Sequence, residues 1–474
     1  MSITRRTFLK GTAGAAAAGI GLHAHAGAAP DSRPNILVCI ADDWSYGHAG
    51  VYGDKTVKTP TFDRLATQGA LFTHSFCAAP TCTASRGGIL TGQWPHRLEQ
   101  GANLWSTLPA KFDVYPDLLE QAGYAIGFTG KGWGPGVLGD RKRNPAGRPV
   151  KGFAEFMRGL EGDQPFYYWF GSQDPHRPYA SDLKRKSGLD GKSVSVPAFL
   201  PDVPEVRDDL LDYYAEVQRF DANVGEILKV LDASGRAENT LLVITSDNGL
   251  PFPHAKANLY DSGTHMPLAI RWPKAIKGGK TIDALVSHVD FAPTFLEAAG
   301  VKPPEAMSGR SLIGVLGGGS PAAFDRVFVE RERHAQARAG NVGYPCRAIR
   351  TREHLYIRNF RPQRWPAGDP DLSFSQGTFS DIDRGPTKEF LLAHRDEARY
   401  AGLFQLACAK RPAEELYDVA ADPWQMKNLA GDAKFAQVLE RMRGELATWM
   451  AQTGDPRSKG DTDVFDGYPY MGGR

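Results

Sequence analysis

Asn35-Ile36-Leu37-Val38-Cys39-Ile40-Ala41-Asp42-Asp43 is an unbroken apolar run that stops at two acids. Alternating apolar and polar residues would mark a strand with one wet face. Their absence predicts a strand buried on both faces, as in the parallel sheet of an α/β fold. Such sheets carry their chemistry at the carboxyl ends of the strands, which is where Asp42 and Asp43 stand. Similar runs predict strands at 125–130, 166–171, 241–246 and 268–271, with helical patterns at 114–122, 206–234 and 291–299. Strand and helix alternate, so a large doubly wound sheet sandwiched by helices is expected. From about Pro303 the texture changes to short strand-like pieces at 327–330, 347–351, 355–358 and 415–418, a loop-like segment at 365–388, and an amphipathic closing helix at 433–450. The expected organisation is a leader over 1–28, a catalytic domain over 29–320 and a smaller C-terminal antiparallel α+β subdomain over 321–474.

The leader reads Arg5-Arg6-Thr7-Phe8-Leu9-Lys10, then a Gly/Ala-rich, mildly apolar stretch and small residues ending at Ala26 or Ala28. Twin arginine in that setting is a bacterial export signal, and the apolar stretch is too short and glycine-rich to span a bilayer. The expected location is periplasmic or secreted, by the twin-arginine (Tat) export machinery, with no stable membrane anchor. Cleavage takes three of the 56 basic residues, leaving 53 against 54 acids, a balance that gives no reason to expect nucleic acid as a partner. Five cysteines are few and odd in number for an exported chain, so disulfides do not organise the fold.

One cysteine heads a second run, Cys82-Thr83-Ala84-Ser85-Arg86-Gly87-Gly88-Ile89-Leu90-Thr91-Gly92, read as a short helix with Arg86 one turn along from Cys82. A helix start beside a guanidinium is an anion site. The run resembles the signature C-x-[PA]-S-R-x-x-x-L-T-G of the type I sulfatases, whose cysteine is converted after translation to formylglycine. The resemblance implies an alkaline phosphatase-like fold with a large mixed, mostly parallel sheet. It also implies a formylglycine-generating maturation enzyme as partner and a hydrated aldehyde at position 82 as nucleophile, assisted by Arg86.

Taken alone, Asp42-Asp43 reads as a cap, and Ser246-Asp247-Asn248-Gly249 after its own apolar strand reads as a turn. Together the two strand ends offer three carboxylates and an amide, the hard oxygen donors calcium prefers. In sulfatases the positions matching Asp42, Asp43, Asp247 and Asn248 bind calcium, with the modified Cys82 sharing the ion. The stretch Gly123-Tyr124 through Gly130-Lys131-Gly132-Trp133 is similar to another sulfatase motif, which makes Lys131 a sulfate-binding cation. Trp133 departs from it, because sulfatases usually have histidine there. Gln173-Asp174-Pro175-His176-Arg177-Pro178 matches the family element that supplies a general acid, His176, with Arg177 next to it toward substrate. Lys256, in the loop after Asn248, matches a second sulfate-gripping cation.

Stretches outside the shared core, among them 245–253, 258–260, 344–350 and 415–418, resemble sulfamidases in particular. The substrate implied is a sulfated glycan, N-sulfoglucosamine of heparan sulfate. The charged run Glu330-Arg331-Glu332-Arg333-His334 makes Arg331, Arg333 and His334 candidates to read an anionic sugar, the bland alternative being a salt-bridged, solvated strand. An O-sulfatase or a phosphonate or phosphate ester hydrolase on the same scaffold stays open, as does an inactive calcium-dependent sugar-binding protein. Monomer and homodimer are both compatible with the sequence.

Overall fold

The structure, a computed structural model, describes residues 33–180, 183–460 and 462–472; the export signal expected over 1–28 lies outside the described residues. In chain order the first sheet contains β1 (Asn35–Ala41), β2 (Ala70–Phe76), β3 (Ala125–Gly130), β4 (Phe166–Gly171), β5 (Thr240–Ser246), β6 (His265–Arg271), β7 (Lys280–Ile282) and β8 (Val286–Ser287). Its spatial order is β3-β4-β1-β5-β6-β2-β7, with β8 also on β2. The pairs β3–β4, β4–β1 and β1–β5 are parallel, whereas β6 runs antiparallel to both β5 and β2.

All seven residues of β1 are buried. Ile36, Val38 and Ile40 enter one apolar layer, and Leu37, Cys39 and Ala41 the other. Each large side chain so buried stabilises the sheet by about 1.5–3 kcal/mol. The 30-residue helix Pro204–Ala233 covers the second layer with Leu210, Tyr213, Val217 and Phe220. Helices α1 (Pro60–Gln68), α2 (Cys82–Thr91) and α3 (Tyr115–Gln121) follow the early strands, and α2 and α3 pack on the first layer with Phe291–Ala298.

The second sheet is antiparallel, with β9 (Arg326–Arg331), β10 (Cys346–Thr351), β11 (His354–Asn359) and β12 (Glu414–Asp418) in the order β12-β11-β10-β9. Helix Ala436–Gln452 backs it, setting Met442, Leu446 and Trp449 against Ile349, Tyr356 and Leu416. The expected fold class holds: a mostly parallel mixed sheet between helices, with a smaller antiparallel sheet beside it. Two elements depart from expectation. The register of β2 on β6 shifts between Phe72 and Ser75, which spoils the period that would have marked the strand. The loop-like segment 365–388 runs into a helix, Pro386–Ala393. Among the described residues no helix is long and apolar enough to cross a membrane.

Candidate active site at the strand ends

The four adjacent parallel strands β3, β4, β1 and β5 end on the same edge of the sheet, and each leads into a residue with chemistry to offer. After β3 comes Lys131, after β4 Asp174 and His176, after β1 Asp42 and Asp43, after β5 Asp247 and Asn248. The in-register pair Ala41↔Ser246 puts the two acidic strand ends side by side. Asp247 N donates to Ala41 O at 3.1 Å, and Asp42 N donates to Asp174 O at 2.8 Å, which ties three of these ends together.

Helix α2 starts at this edge. Its first residue, Cys82, is 3% exposed, with Sγ 3.4 Å from Asp42 Oδ1 and 3.6 Å from Asn248 Nδ2. Arg86, fully buried one turn on, anchors the helix: Nε donates to Asp247 Oδ2 at 2.7 Å, and Nη1 donates to the carbonyls of Lys131 (2.7 Å) and Gly132 (3.0 Å). Ser85 Oγ donates to Asp247 O from the same turn. Gly87 faces Leu98 and Trp133 so closely that a Cβ would lie 3.2 Å from the Leu98 side chain, so glycine there lets the helix sit down on the wall of the site.

Two lysines bracket the acids. Lys131 Nζ lies 2.6 Å from Asp42 Oδ2, and Lys256 Nζ lies 2.7 and 2.6 Å from the two oxygens of Asp43. Burial works against ionisation of Asp42, yet Lys131, His176 and Arg86 outweigh it and hold its carboxyl well below the usual range. Burial pushes Asp43 up to about 6, opposed by Lys256 and His176 and aided by Asp42. The thiol of Cys82 is driven upward by burial and then by Asp42, so it stays protonated. His176 Nδ1 lies 2.5 Å from Arg177 O, which can only accept, so that nitrogen carries the proton. Its Nε2 then faces the cluster, 3.8 Å from Asp43 Oδ2.

Asp42, Asp43, Cys82 and Asp247 each offer a ligating atom, all buried and all within 4.8 Å of one another. Three carboxylates in so small a space suit a hard divalent cation. The charge balance argues the same way. Asp42, Asp43, Asp247 and Asp383 face the permanent cations Arg86, Lys131 and Lys256, an excess of one negative charge. A divalent ion reverses the sign and makes the pocket receptive to an anion. Above these groups opens a cleft of about 780 Å³ whose lining includes Cys82, Lys131, Trp133, His176, Lys256 and Asp383.

The family description "Sulfatase" matches residues 34–157 and 148–301, the part of the chain that builds this edge. The chain belongs to the sulfatase family. It is therefore a hydrolase of sulfate esters or sulfamates. The description "N-sulphoglucosamine sulphohydrolase, C-terminal" matches residues 253–366 of this sulfatase. A twin-arginine translocation signal matches residues 2–20 and directs export to the periplasm or beyond. Human N-sulphoglucosamine sulphohydrolase is 30% identical over 476 residues, covering 90% of this chain and 91% of that protein. An ulvan-active sulfatase of Formosa agariphila is 28% identical over 92% of this chain and 77% of its own length. The solved structure of BT4656 in complex with its substrate D-glucosamine-2-N,6-O-disulfate superposes with a TM-score of 0.65 at 22% identity, covering 91% of this chain and all of that one.

The residues picked from the sequence of this sulfatase divide into two groups. Asp42, Asp43, Cys82, Arg86, Lys131, His176, Asp247, Asn248 and Lys256 come together at the strand ends. His334 lines the cleft, with Nδ1 2.8 Å from Thr81 Oγ1. Arg177 lines it too, but its guanidinium is committed to Asp209 by two 2.7 Å bonds. Arg331 and Arg333 do not line it. Arg331 is buried, with Nη2 on Asp381 Oδ2 and on the Pro366 carbonyl, and Arg333 binds backbone carbonyls of the C-terminal tail. Both are buried rather than solvated, and each is held by partners within the protein, with Nε of each left without a hydrogen-bond partner. Asp383, unmarked by any motif, reaches the cleft with one oxygen 3.4 Å from Lys256 Nζ and without a hydrogen-bond partner. Trp133, in the usual histidine position, is 5% exposed, and its indole nitrogen has no partner.

Proposed function

We propose that this sulfatase removes the N-sulfo group of N-sulfoglucosamine from heparan-type glycans, using a formylglycine made from Cys82 by a maturation enzyme and a calcium ion. The observation that carries the chemistry is the setting of Cys82. A buried thiol held protonated beside Asp42 is a poor nucleophile, and sulfur is the odd donor in a set of hard oxygens. Conversion of that side chain to an aldehyde by the maturation enzyme, with an external two-electron oxidant such as dioxygen and loss of the sulfur as sulfide, followed by hydration in place, cures both defects. The substrate is supported by the likeness to human N-sulphoglucosamine sulphohydrolase along most of both chains and by the match of its C-terminal description.

When bound, calcium would be held by Asp42, Asp43, Asp247 and Asn248 and would offset the carboxylates facing an incoming anion. Lys131 and Lys256 grip the sulfo oxygens and stabilise charge gathering on them. Arg86 fixes the first turn of α2 against β5, so that residue 82 stays on the cleft floor. His176, with Nδ1–H committed to the Arg177 carbonyl, acts as an imidazolium that carries a second proton on Nε2 beside Asp43; Nε2 delivers that proton to the departing nitrogen and the ring is left neutral.

The test is peptide mass spectrometry across Cys82 on protein from the native host, paired with sulfate release from N-sulfoglucosamine and from 6-O-sulfated glucosamine. Formylglycine with N-selective release supports the proposal. O-selective release moves the enzyme to another glycan sulfate, and an unmodified thiol with no release from either sugar sinks the catalytic reading.

A further inference from the structure

The last described segment, residues 462–472, runs back to the cleft and is tied to both sheets' surroundings. Asn103 Nδ2 donates to Phe465 O at 2.8 Å, and Gly343 N donates to Asp466 Oδ1 at 2.7 Å. Arg364 pairs with Asp466 Oδ2 at 2.8 Å, and Met471 N donates to Trp105 O at 2.7 Å. Arg333 is the hub. Its Nη1 donates to Tyr468 O at 2.9 Å and its Nη2 to Pro469 O at 3.1 Å. Its own carbonyl accepts Leu104 N at 3.0 Å, and its guanidinium carbon lies 5.6 Å from the centre of the Tyr470 ring. One residue thus fixes the approach to Trp105 and the tail that carries Tyr470.

Both rings are half-buried in the wall of the cleft that holds Cys82, Lys131 and His176. Trp105 has a φ of 52°, a conformation costly for so bulky a residue. Strain of this kind persists where surrounding contacts over-determine it, and it gathers at ligand sites. Tyr470 has one face against the Arg333 guanidinium, a cation–π contact that holds the ring in place.

We propose that Trp105 and Tyr470 form an aromatic platform that receives the pyranose ring of the substrate, making the C-terminal tail a specificity element of the active site. The inference rests on the sulfatase reading of the cleft. A sugar ring presents a face of C–H groups that buries well on an aromatic face, and rigid rings lose little entropy in receiving it. The charged floor holds any sulfo group, whereas the platform distinguishes a sulfo group attached to a sugar from one attached to a small alkyl chain.

The test compares kcat/KM on N-sulfoglucosamine and on methyl sulfate for the full chain and for Tyr470→Ala and Tyr470→Phe. Tyr470→Ala is expected to lose about tenfold more on the sugar than on methyl sulfate, through KM, and Tyr470→Phe to recover most of that difference because the ring remains. Equal losses on both substrates, or no loss on the sugar, overturn the platform. If the wild-type protein turns over neither substrate, the N-sulfoglucosamine reading of its activity has failed and the platform is judged by saturation-transfer NMR with N-sulfoglucosamine. Transfer from aromatic protons that weakens in Tyr470→Ala then supports it, and transfer that is unchanged overturns it.

Discussion

The floor of the cleft and the underside of the antiparallel sheet both bury clusters of charge, yet they are finished differently. At the floor, Arg86 keeps Nη2 without a hydrogen-bond partner, 3.8 Å from Asp42, and Asp383 keeps an oxygen in the same condition. Under the second sheet, each nitrogen of Arg347 is answered: Nε by Asp455 at 2.7 Å, Nη1 by the Cys346 carbonyl at 3.0 Å, Nη2 by Glu332 at 2.8 Å. Arg457 adds two bonds to Glu332 at 2.8 and 2.7 Å, and His96 Nδ1 lies 3.0 Å from Glu330 Oε2. Asp383 lines the cleft and its unspent oxygen is available to a ligand there, whereas Arg86 Nη2 lies beneath the floor, behind Asp42. A saturated cluster holds the chain together, fastening the last turns of the protein to β9 and β10.

The contrast breaks most sharply at Cys82. Cys82→Ala is expected to cut sulfate release by on the order of 10⁴-fold or more, with the melting temperature little changed. Arg347→Ala is expected to do the reverse. Leaving Glu332 and Asp455 buried without their partner costs about 3–5 kcal/mol, read as a lowered melting temperature, while activity per folded molecule is kept. A stable but inactive Arg347→Ala would place chemistry in the second cluster and erase the distinction.

His176→Gln sharpens the comparison within the cleft. Loss of a general acid is expected to cost about 10²-fold on a sulfamate, whose nitrogen needs a proton to leave. It costs much less on an aryl sulfate, whose phenolate leaves unaided. Equal losses on the two substrates would make His176 a binding group only.

The strand ends were legible because β1 and β5 are unbroken apolar runs, and the residues just past such a run in a parallel sheet stand at a site by geometry. Lys131, His176 and Lys256 were legible through motif resemblance; nothing in their local pattern separates them from solvated or turn residues. Arg331 and Arg333 show where pattern ends. A run of alternating acids and bases reads the same whether it binds a ligand, faces water or is buried, since the partners Asp381, Tyr468 and Pro469 lie 50 or more residues away in the chain. Asp383 and Tyr470 carry no sequence signal for the same reason: a single residue in an aperiodic segment announces nothing until the fold brings it to the cleft.

The smallest effect concerns the rim, where Arg219 bonds Asp174 Oδ2 at 2.9 Å and pairs with Glu216. Asp174 and Arg219 both line the cleft. Burial pushes Glu216 up to about 7, with Asp174 adding to the rise and the Ala180 N–H and Arg219 opposing it. In the unfolded chain this carboxyl titrates near 4.5. Between 4.5 and about 7 the folded protein therefore holds a proton that the unfolded chain has released, and stability falls as pH rises through that window. Glu216→Gln keeps an acceptor for Ala180 and carries no titrating proton. Its stability relative to wild type is expected to be higher at pH 8 than at pH 5, measured by thermal melts across the range. The rim also gains a negative charge as Glu216 ionises, so KM for a sulfated substrate is expected to rise through pH 7 in the wild type and to stay flatter in the variant. Parallel profiles for the two proteins would mean that the proton resides elsewhere and that the rim, like the cluster under the second sheet, is saturated.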